Sequence, residues 1–272
     1  MKSATKAFMA VISFCLISNV AQAENKAEVL WLGQATTKIT TPGGKVIVID
    51  PFLIKNPKTP AAYKDLAKLG KVDLILVTHG HFDHTADLGA LAKLTGAKVV
   101  GNGALPRQLA AFGVVPKAQT ISMNKTGTIM PIGDGVKIHM VPAEHSSALT
   151  LKNPDTGKAE TVYAGAPVGY VIEMENGKTI YHSGDTGIFG DMSLIHDLYK
   201  PDLALVAIGG HFTMAPREAA LAMTKYVKPK TILPIHYGTF PPLKGTPEQL
   251  KAAMSGSSIE ILDVQPGQAY RF

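Results

Sequence analysis

The run Thr78-His79-Gly80-His81-Phe82-Asp83-His84 follows directly on the apolar stretch Leu74–Val77. Three of the chain's nine histidines and one carboxylate therefore fall within six positions. A buried strand ending in such a cluster narrows the folds open to the chain. The strand needs cover on its faces, and its end needs a polar edge where the side chains can meet other donors. Imidazole nitrogen and carboxylate oxygen suit Zn²⁺ and also admit Mn²⁺ or Fe²⁺. In an extended turn His79 and His81 can face one ion. Asp83 and His84, at the start of the next helix, can face a second.

Other strand ends repeat the pattern. Short apolar runs alternate with turn signals along the whole chain. Strands are expected at Val29–Leu32 and Lys38–Thr40 around a Gly33–Ala35 turn, and at Val46–Ile49, which ends in Asp50-Pro51. The second half places strands at Val136–Val141, before Glu144-His145, and at Val168–Glu173 and Thr179–His182, paired across Asn176-Gly177. Further strands are expected at Lys98–Val100, Leu203–Ile208, Thr231–Pro234 and Glu260–Val264. Helices are expected over Ala61–Leu69, Thr85–Leu94, Leu105–Phe112, Pro216–Tyr226 and Glu248–Met254. Mixed hairpins and helices argue for an α/β protein with helices outside a two-sheet core. His145, Asp185 and His236 are the further candidate ligands, each just after an expected strand, so the ends can converge on one edge.

The first residues read as an export signal. Lys2 and Lys6 precede a mostly apolar Ala7–Ile17 stretch, which is too short to span a membrane comfortably, and Ala21-Gln22-Ala23 has the form of a cleavage site. Residues 1–23 are then a signal peptide, 24–272 the functional domain, and the protein is periplasmic or secreted without a stable membrane anchor. Cleavage removes Cys15, the one cysteine, so neither a disulfide nor a thiolate ligand is expected. Phe14, bulky where a lipobox has a small residue, argues against lipid attachment at Cys15. The formal net charge is +6, but the lysines are scattered and do not cluster with aromatics. A solvated basic surface follows, not a nucleic-acid site, and the expected partner is a small-molecule substrate.

With these positions in order, the chain resembles the metallo-β-lactamase-fold hydrolases, whose signature is H-x-H-x-D-H followed by a distant His, Asp and His. Trp31-Leu32-Gly33, Ile49-Asp50-Pro51-Phe52, His182-Ser183-Gly184-Asp185-Thr186, Phe212-Thr213-Met214 and Pro234-Ile235-His236-Tyr237-Gly238-Thr239-Phe240 are similar to one branch. That branch is akin to ascorbate-6-phosphate lactonases and N-acyl-phosphatidylethanolamine phospholipase D. The resemblance implies an αββα sandwich with two divalent metal ions. His79, His81 and His145 would hold the first, Asp83, His84 and His236 the second, and Asp185 would bridge them. Asp83 and Asp185 are the catalytic carboxylates on this reading. A metal-bridging hydroxide would attack an ester, lactone or phosphoester bond. The alternative is a non-catalytic exported divalent-metal-binding protein built on the same ligands.

Asp50 resembles the family carboxylate that orients a ligand imidazole. His211, Tyr237 and Gln34 are expected near substrate; relatives in the branch often carry His where this chain has Gln34. His182, His139 and His196 are expected to be structural.

Overall fold

The computed structural model describes residues 25–272. The expected signal peptide, 1–23, and the expected mature start at Glu24 lie outside the described residues. The strands β1 (Glu28–Trp31), β2 (Thr37–Thr40), β3 (Val46–Ile49), β4 (Leu74–Leu76), β5 (Lys98–Asn102) and β6 (Thr120–Met123) form the first sheet. The second begins with β7 (Thr128–Ile129) and β8 (Lys137–Pro142). A separate hairpin, β9 (Ala148–Lys152) and β10 (Ala159–Tyr163), intervenes. β11 (Val168–Glu173), β12 (Thr179–His182), β13 (Leu203–Ala207), β14 (Thr231–Ile235) and β15 (Glu260–Ile261) complete the second sheet. Finally β16 (Ala269–Arg271) returns to pair with β1, so each sheet has seven strands.

Two-residue alternation explains how the layers stack. In β4, Leu74 and Leu76 enter the core between the sheets, while Ile75 and Val77 face the helices. In β13, Leu203 and Leu205 face the same central core, and Ala204 and Val206 turn outward. Strands covered on both faces read as continuous apolar runs for this reason. Helices α2 (Leu88–Thr95) and α3 (Ala104–Ala111) cover the first sheet, and the short α1 (Phe82–Thr85) carries the end of the histidine cluster. α4 (Ser193–Tyr199), α5 (Pro216–Leu221) and α6 (Pro247–Ala253) cover the second. The result is the expected αββα sandwich. Tyr170, fully buried on β11, donates to the carbonyl of Val77 at 2.8 Å and so ties the second sheet to the first.

Strand direction brings the candidate ligands together. β3 to β6 run parallel to one another, as do β12 to β15. β8 and β12 are both antiparallel to β11, so β8 points the same way as β12 and β14. The loops after β3 and β4 open beside those after β8, β12 and β14.

Several elements depart from expectation for local reasons. The helix expected over Ala61–Leu69 is two 3₁₀ turns, Ala61–Tyr63 and Leu66–Leu69, because the Asp65 side chain caps the backbone of Ala67 and restarts the chain. The helix expected over Thr85–Leu94 is broken into α1 and α2, where the Asp87 carboxylate instead accepts from Leu53 N and Ile54 N at 2.6 and 2.9 Å. The helix from Pro216 widens into a π-helical segment, Ala222–Val227. The short strands β6 and β7, the β9–β10 hairpin and β16 carry no sustained apolar run, since most of their residues are half-buried or exposed.

Candidate metal centre

The seven candidate ligands meet at the edge formed by these loops. His79, His81 and His145 form one group of donors, and Asp83, His84, Asp185 and His236 a second; within each group the donor atoms lie within 4.8 Å of one another. All seven of these residues are buried or half-buried. The His79 ring lies 4.1 Å from that of His84 and 5.0 Å from that of His145, so the two groups are neighbours. Asp185 reaches both: its Oδ2 is 3.0 Å from His236 Nε2 and 3.7 Å from His145 Nε2.

Beneath the cluster, Asp50 decides which ring nitrogens face inward. It is fully buried and accepts from His84 Nδ1 at 2.7 Å, from Thr78 N at 2.8 Å and from Thr78 Oγ1 at 2.7 Å. His84 therefore carries its hydrogen on Nδ1 and presents Nε2. The Thr78 hydroxyl, having donated to Asp50, accepts from His79 Nδ1 at 3.0 Å, so His79 also presents Nε2. His81 turns Nδ1 toward His79 at 2.9 Å and Nε2 toward Ser146 Oγ at 3.4 Å. Such outer partners fix tautomer and ring orientation. Thr78 is a member that sequence reading passed over, because a threonine at a strand end carries no signal by itself.

Backbone strain marks the same place. Among the described residues, seven non-glycine residues have positive φ, including Gln34 at 52°, Asp50 at 51° and His236 at 58°. Such conformations cost energy and persist where surrounding structure imposes them, often at functional sites. Gly184, at φ 57°, precedes Asp185; a Cβ there would lie 2.6 Å from Val168 O and 2.9 Å from Thr78 Cβ. Only glycine lets the β12 loop lie close enough to bring Asp185 into the cluster.

The two donor groups differ electrostatically. Burial, aided by neighbouring imidazoles, holds His79, His81 and His145 below the ordinary histidine pKa, which favours their neutral, ligating form. Burial also opposes protonation of His84 and His236, but the carboxylates outweigh it. Asp185, Asp83 and Asp50 keep His84 well above the usual value, and Asp185 and Asp83 raise His236 to about 9. Burial would raise Asp83 and Asp185, yet His84 and His236 hold both far below the usual carboxylate range. The second group is thus a set of buried ion pairs. His84 Nε2 and Asp185 Oδ1, 3.4 Å apart, are buried without a hydrogen-bond partner. Buried polar atoms left so are costly unless something else satisfies them. Five imidazoles and two carboxylates converging with such atoms fit divalent cations of the Zn²⁺, Mn²⁺ or Fe²⁺ type.

The three residues expected near substrate separate. Gln34 is fully buried; its Nε2 donates to Asp83 Oδ2 at 2.8 Å and lies 2.7 Å from His236 Nε2, and its carbonyl accepts from His236 N. It braces the second donor group from below. Tyr237 packs on Trp31 with ring centroids 5.3 Å apart, and burial pushes its hydroxyl up to about 12. It belongs to the core, not to the cavity. His211 is exposed and lines a separate groove beside Arg217 and Lys244, while its neighbour Phe212 lines the cavity over the donors. The three histidines expected to be structural are bonded elsewhere: His182 to Ala35 O, His139 to Thr128 Oγ1 and His196 to Val227 O.

A cavity of about 1210 Å³ opens on His81, Asp83, His145, Asp185 and His236. Its other walls come mainly from α1, α2 and β9.

Comparison with known proteins agrees with this architecture. Residues 45–237 match the beta-lactamase superfamily domain. A UPF0173 metal-dependent hydrolase of Cupriavidus necator is 58% identical over 249 residues, which is 91% of this chain and 86% of the relative. One from Myxococcus xanthus is 46% identical, over 91% of this chain and 84% of its own. Among solved structures, the metallo hydrolase Igni18 of Ignicoccus hospitalis superposes with a TM-score of 0.77 at 33% identity, covering 91% of this chain and 98% of that one. Fold, donor set and relatives agree: the chain belongs to the beta-lactamase superfamily and, within it, to the UPF0173 metal-dependent hydrolases.

Proposed function

We propose that this hydrolase is exported, that it works with two divalent ions, and that it cleaves a small ester, lactone or phosphoester. The observation that carries the reading is the pair of adjoining donor groups, both within reach of Asp185, at the wall of one cavity. His79, His81 and His145 would hold one ion and Asp83, His84 and His236 the other. The nitrogen-rich donor set favours Zn²⁺, with Mn²⁺ and Fe²⁺ admitted. Bound there, the ions supply Lewis acidity toward a carbonyl or phosphoryl oxygen and acidify water.

The chain's own residues do the rest. Asp50 and Thr78 lock the tautomers of His84 and His79. Asp83 and Asp185 stay anionic and neutralise part of the ions' charge. Gln34 holds Asp83 beside His236. Phe82, Phe212 and Phe240 line the cavity with apolar surface. In the net reaction the acyl–oxygen or phosphoryl–oxygen bond breaks, water oxygen joins the acyl carbon or phosphorus, and a water proton passes to the leaving oxygen. A metal-storage role fits less well, because storage has no use for a substrate-sized cavity over the donors.

The test is metal analysis of the full protein combined with a panel of esters, lactones and phosphodiesters. Close to two ions per chain are expected. Asp185→Asn should lose roughly two orders of magnitude in rate, as expected for loss of a group that positions metal. At most one ion after loading would remove the dinuclear reading, and near-wild-type activity in Asp185→Asn would remove the role given to that carboxylate. Export is checked by the N-terminal mass of protein from its native host, where a start at Met1 or a lipid on Cys15 would refute it.

A further inference from the structure

His236 is anchored unlike its neighbours in the cluster. His84 and His79 are each held through Nδ1, by Asp50 at 2.7 Å and by the Thr78 hydroxyl at 3.0 Å, which leaves Nε2 turned inward. His236 Nδ1 is buried with no partner. The ring is held instead through Nε2, the atom that faces Asp185 Oδ2 at 3.0 Å and Asp83 Oδ2 at 3.4 Å, and its hydrogen-bond partner is Gln34 Nε2 at 2.7 Å. An imidazole nitrogen has one in-plane direction to offer, which a hydrogen, a donor or a cation takes to the exclusion of the others. Gln34 therefore uses the position on His236 that a cation would use. A primary amide nitrogen has no lone pair to give a cation, so Gln34 does not ligate through the atom it presents there.

The same amide nitrogen donates to Asp83 Oδ2 at 2.8 Å. That bond can persist beside a cation, because a carboxylate oxygen has a second lone pair. Only the contact with His236 is exclusive. The backbone of Gln34 is pinned: its carbonyl accepts from Trp31 Nε1 and from His236 N, both at 3.0 Å, and its φ is 52°. Release of His236 thus falls to the side-chain torsions. Gln34 Oε1 is buried with no partner, so the amide breaks no bond at that end when it turns. In the first donor group the corresponding contact, His79 Nε2 to His81 Nδ1 at 2.9 Å, joins two ligands to each other, and no side chain from outside the group takes part in it.

We infer that Gln34 is a latch on the second ion site: it holds His236 Nε2 until a cation displaces it, so the group of Asp83, His84, Asp185 and His236 binds its ion after, and more weakly than, the group of His79, His81 and His145. This inference rests on the two-ion reading above and adds an order of loading to it.

The experiment titrates Zn²⁺ into the full, chelator-treated protein against a chromophoric competitor, and follows Co²⁺ loading by its visible absorption in stopped flow. Wild type should show two dissociation constants. Gln34→Leu, which keeps most of the volume and removes the amide, and Gln34→Ala should each tighten the weaker constant by roughly tenfold, as for removal of one competing hydrogen bond at an ion-paired group, and leave the tighter one in place. The slower Co²⁺ step should quicken in both. The direction of the change separates a latch from a support: removing a residue that merely props the donors would loosen the weaker constant. A weaker constant unchanged or loosened in folded Gln34→Leu and Gln34→Ala would overturn the inference, with the two-ion reading intact. One ion bound by wild type and two by the variants would uphold the latch in its strongest form. One ion bound by wild type and variants alike would remove the two-ion reading and the latch with it.

Discussion

Three hydrogen bonds end on the carboxylate of Asp50, and through them two histidines of the centre acquire a fixed tautomer. Replacing Asp50 by Asn leaves the shape but loses the anion that holds His84 Nδ1–H and Thr78 in place. Metal affinity should fall by roughly 10- to 100-fold, measured by competition with a chromophoric chelator; an unchanged affinity would show that the imidazoles orient themselves. The same scale governs pH. His236, raised to about 9 in the metal-free fold, stabilises that fold fully below about 6.5, and the contribution is lost as pH rises through about 9. His79, His81 and His145 have depressed values, so their contribution is present above about 6.5 and is lost as pH falls through their folded values. Since His236 must give up its proton to bind a cation, loading near neutral pH should release protons. Calorimetric titrations in two buffers of different ionisation enthalpy will read this; identical heats would contradict it.

At the scale of elements, the break between α1 and α2 is an active feature. Asp87 gives up helix continuity to accept from Leu53 N, in a fully buried residue, and from Ile54 N in the loop after β3. That loop continues the strand that carries Asp50. Asp87→Ala should cost about 1–3 kcal/mol in urea unfolding, because it strands a buried N–H, whereas a change within about 0.5 kcal/mol would place the residue among neutral surface positions. The break also lets α1 present Asp83 and His84 at the centre while α2 runs on along the cavity wall. The helical pattern was legible in the chain. The interruption was not, because an aspartate that caps a loop distant in sequence looks like any exposed helical aspartate.

Across the whole molecule, the centre lies where two sheets meet, and its donors come from both: the segment after β4 on one side, those after β8, β12 and β14 on the other. A cation bound there links the two halves as Tyr170 does in the core. Occupancy should therefore show in global stability. With free ion at 100 times its Kd, loading adds about 2.7 kcal/mol. For a domain of this size that corresponds to a rise in Tm of roughly 5–11 °C. Chelator-treated protein melting at the same temperature as loaded protein would mean that the ions bind without bracing the sheets. No helix among the described residues is long and apolar enough to cross a membrane.

The amino-acid sequence alone pointed to α/β layers with helices outside a two-sheet core and to seven candidate donors, because continuous apolar runs declare doubly covered strands and dense His/Asp spacing declares a ligand cluster; the αββα order came from the family resemblance. It also singled out Asp50, whose place at the end of Val46–Ile49 is local information. Tertiary structure decided what depended on contacts between segments far apart in the chain. It made Gln34 a buried brace for Asp83 and His236, set Tyr237 against Trp31, and turned His211 into a neighbouring groove while Phe212 took the cavity wall. It also gave Thr78 its place in the relay from Asp50 to His79 and brought the β9 strand to the wall of the cavity. Spacing reports which residues share a strand end. Which way a side chain turns there depends on left-handed backbone turns and on partners dozens of positions away, and only the folded chain brings those together.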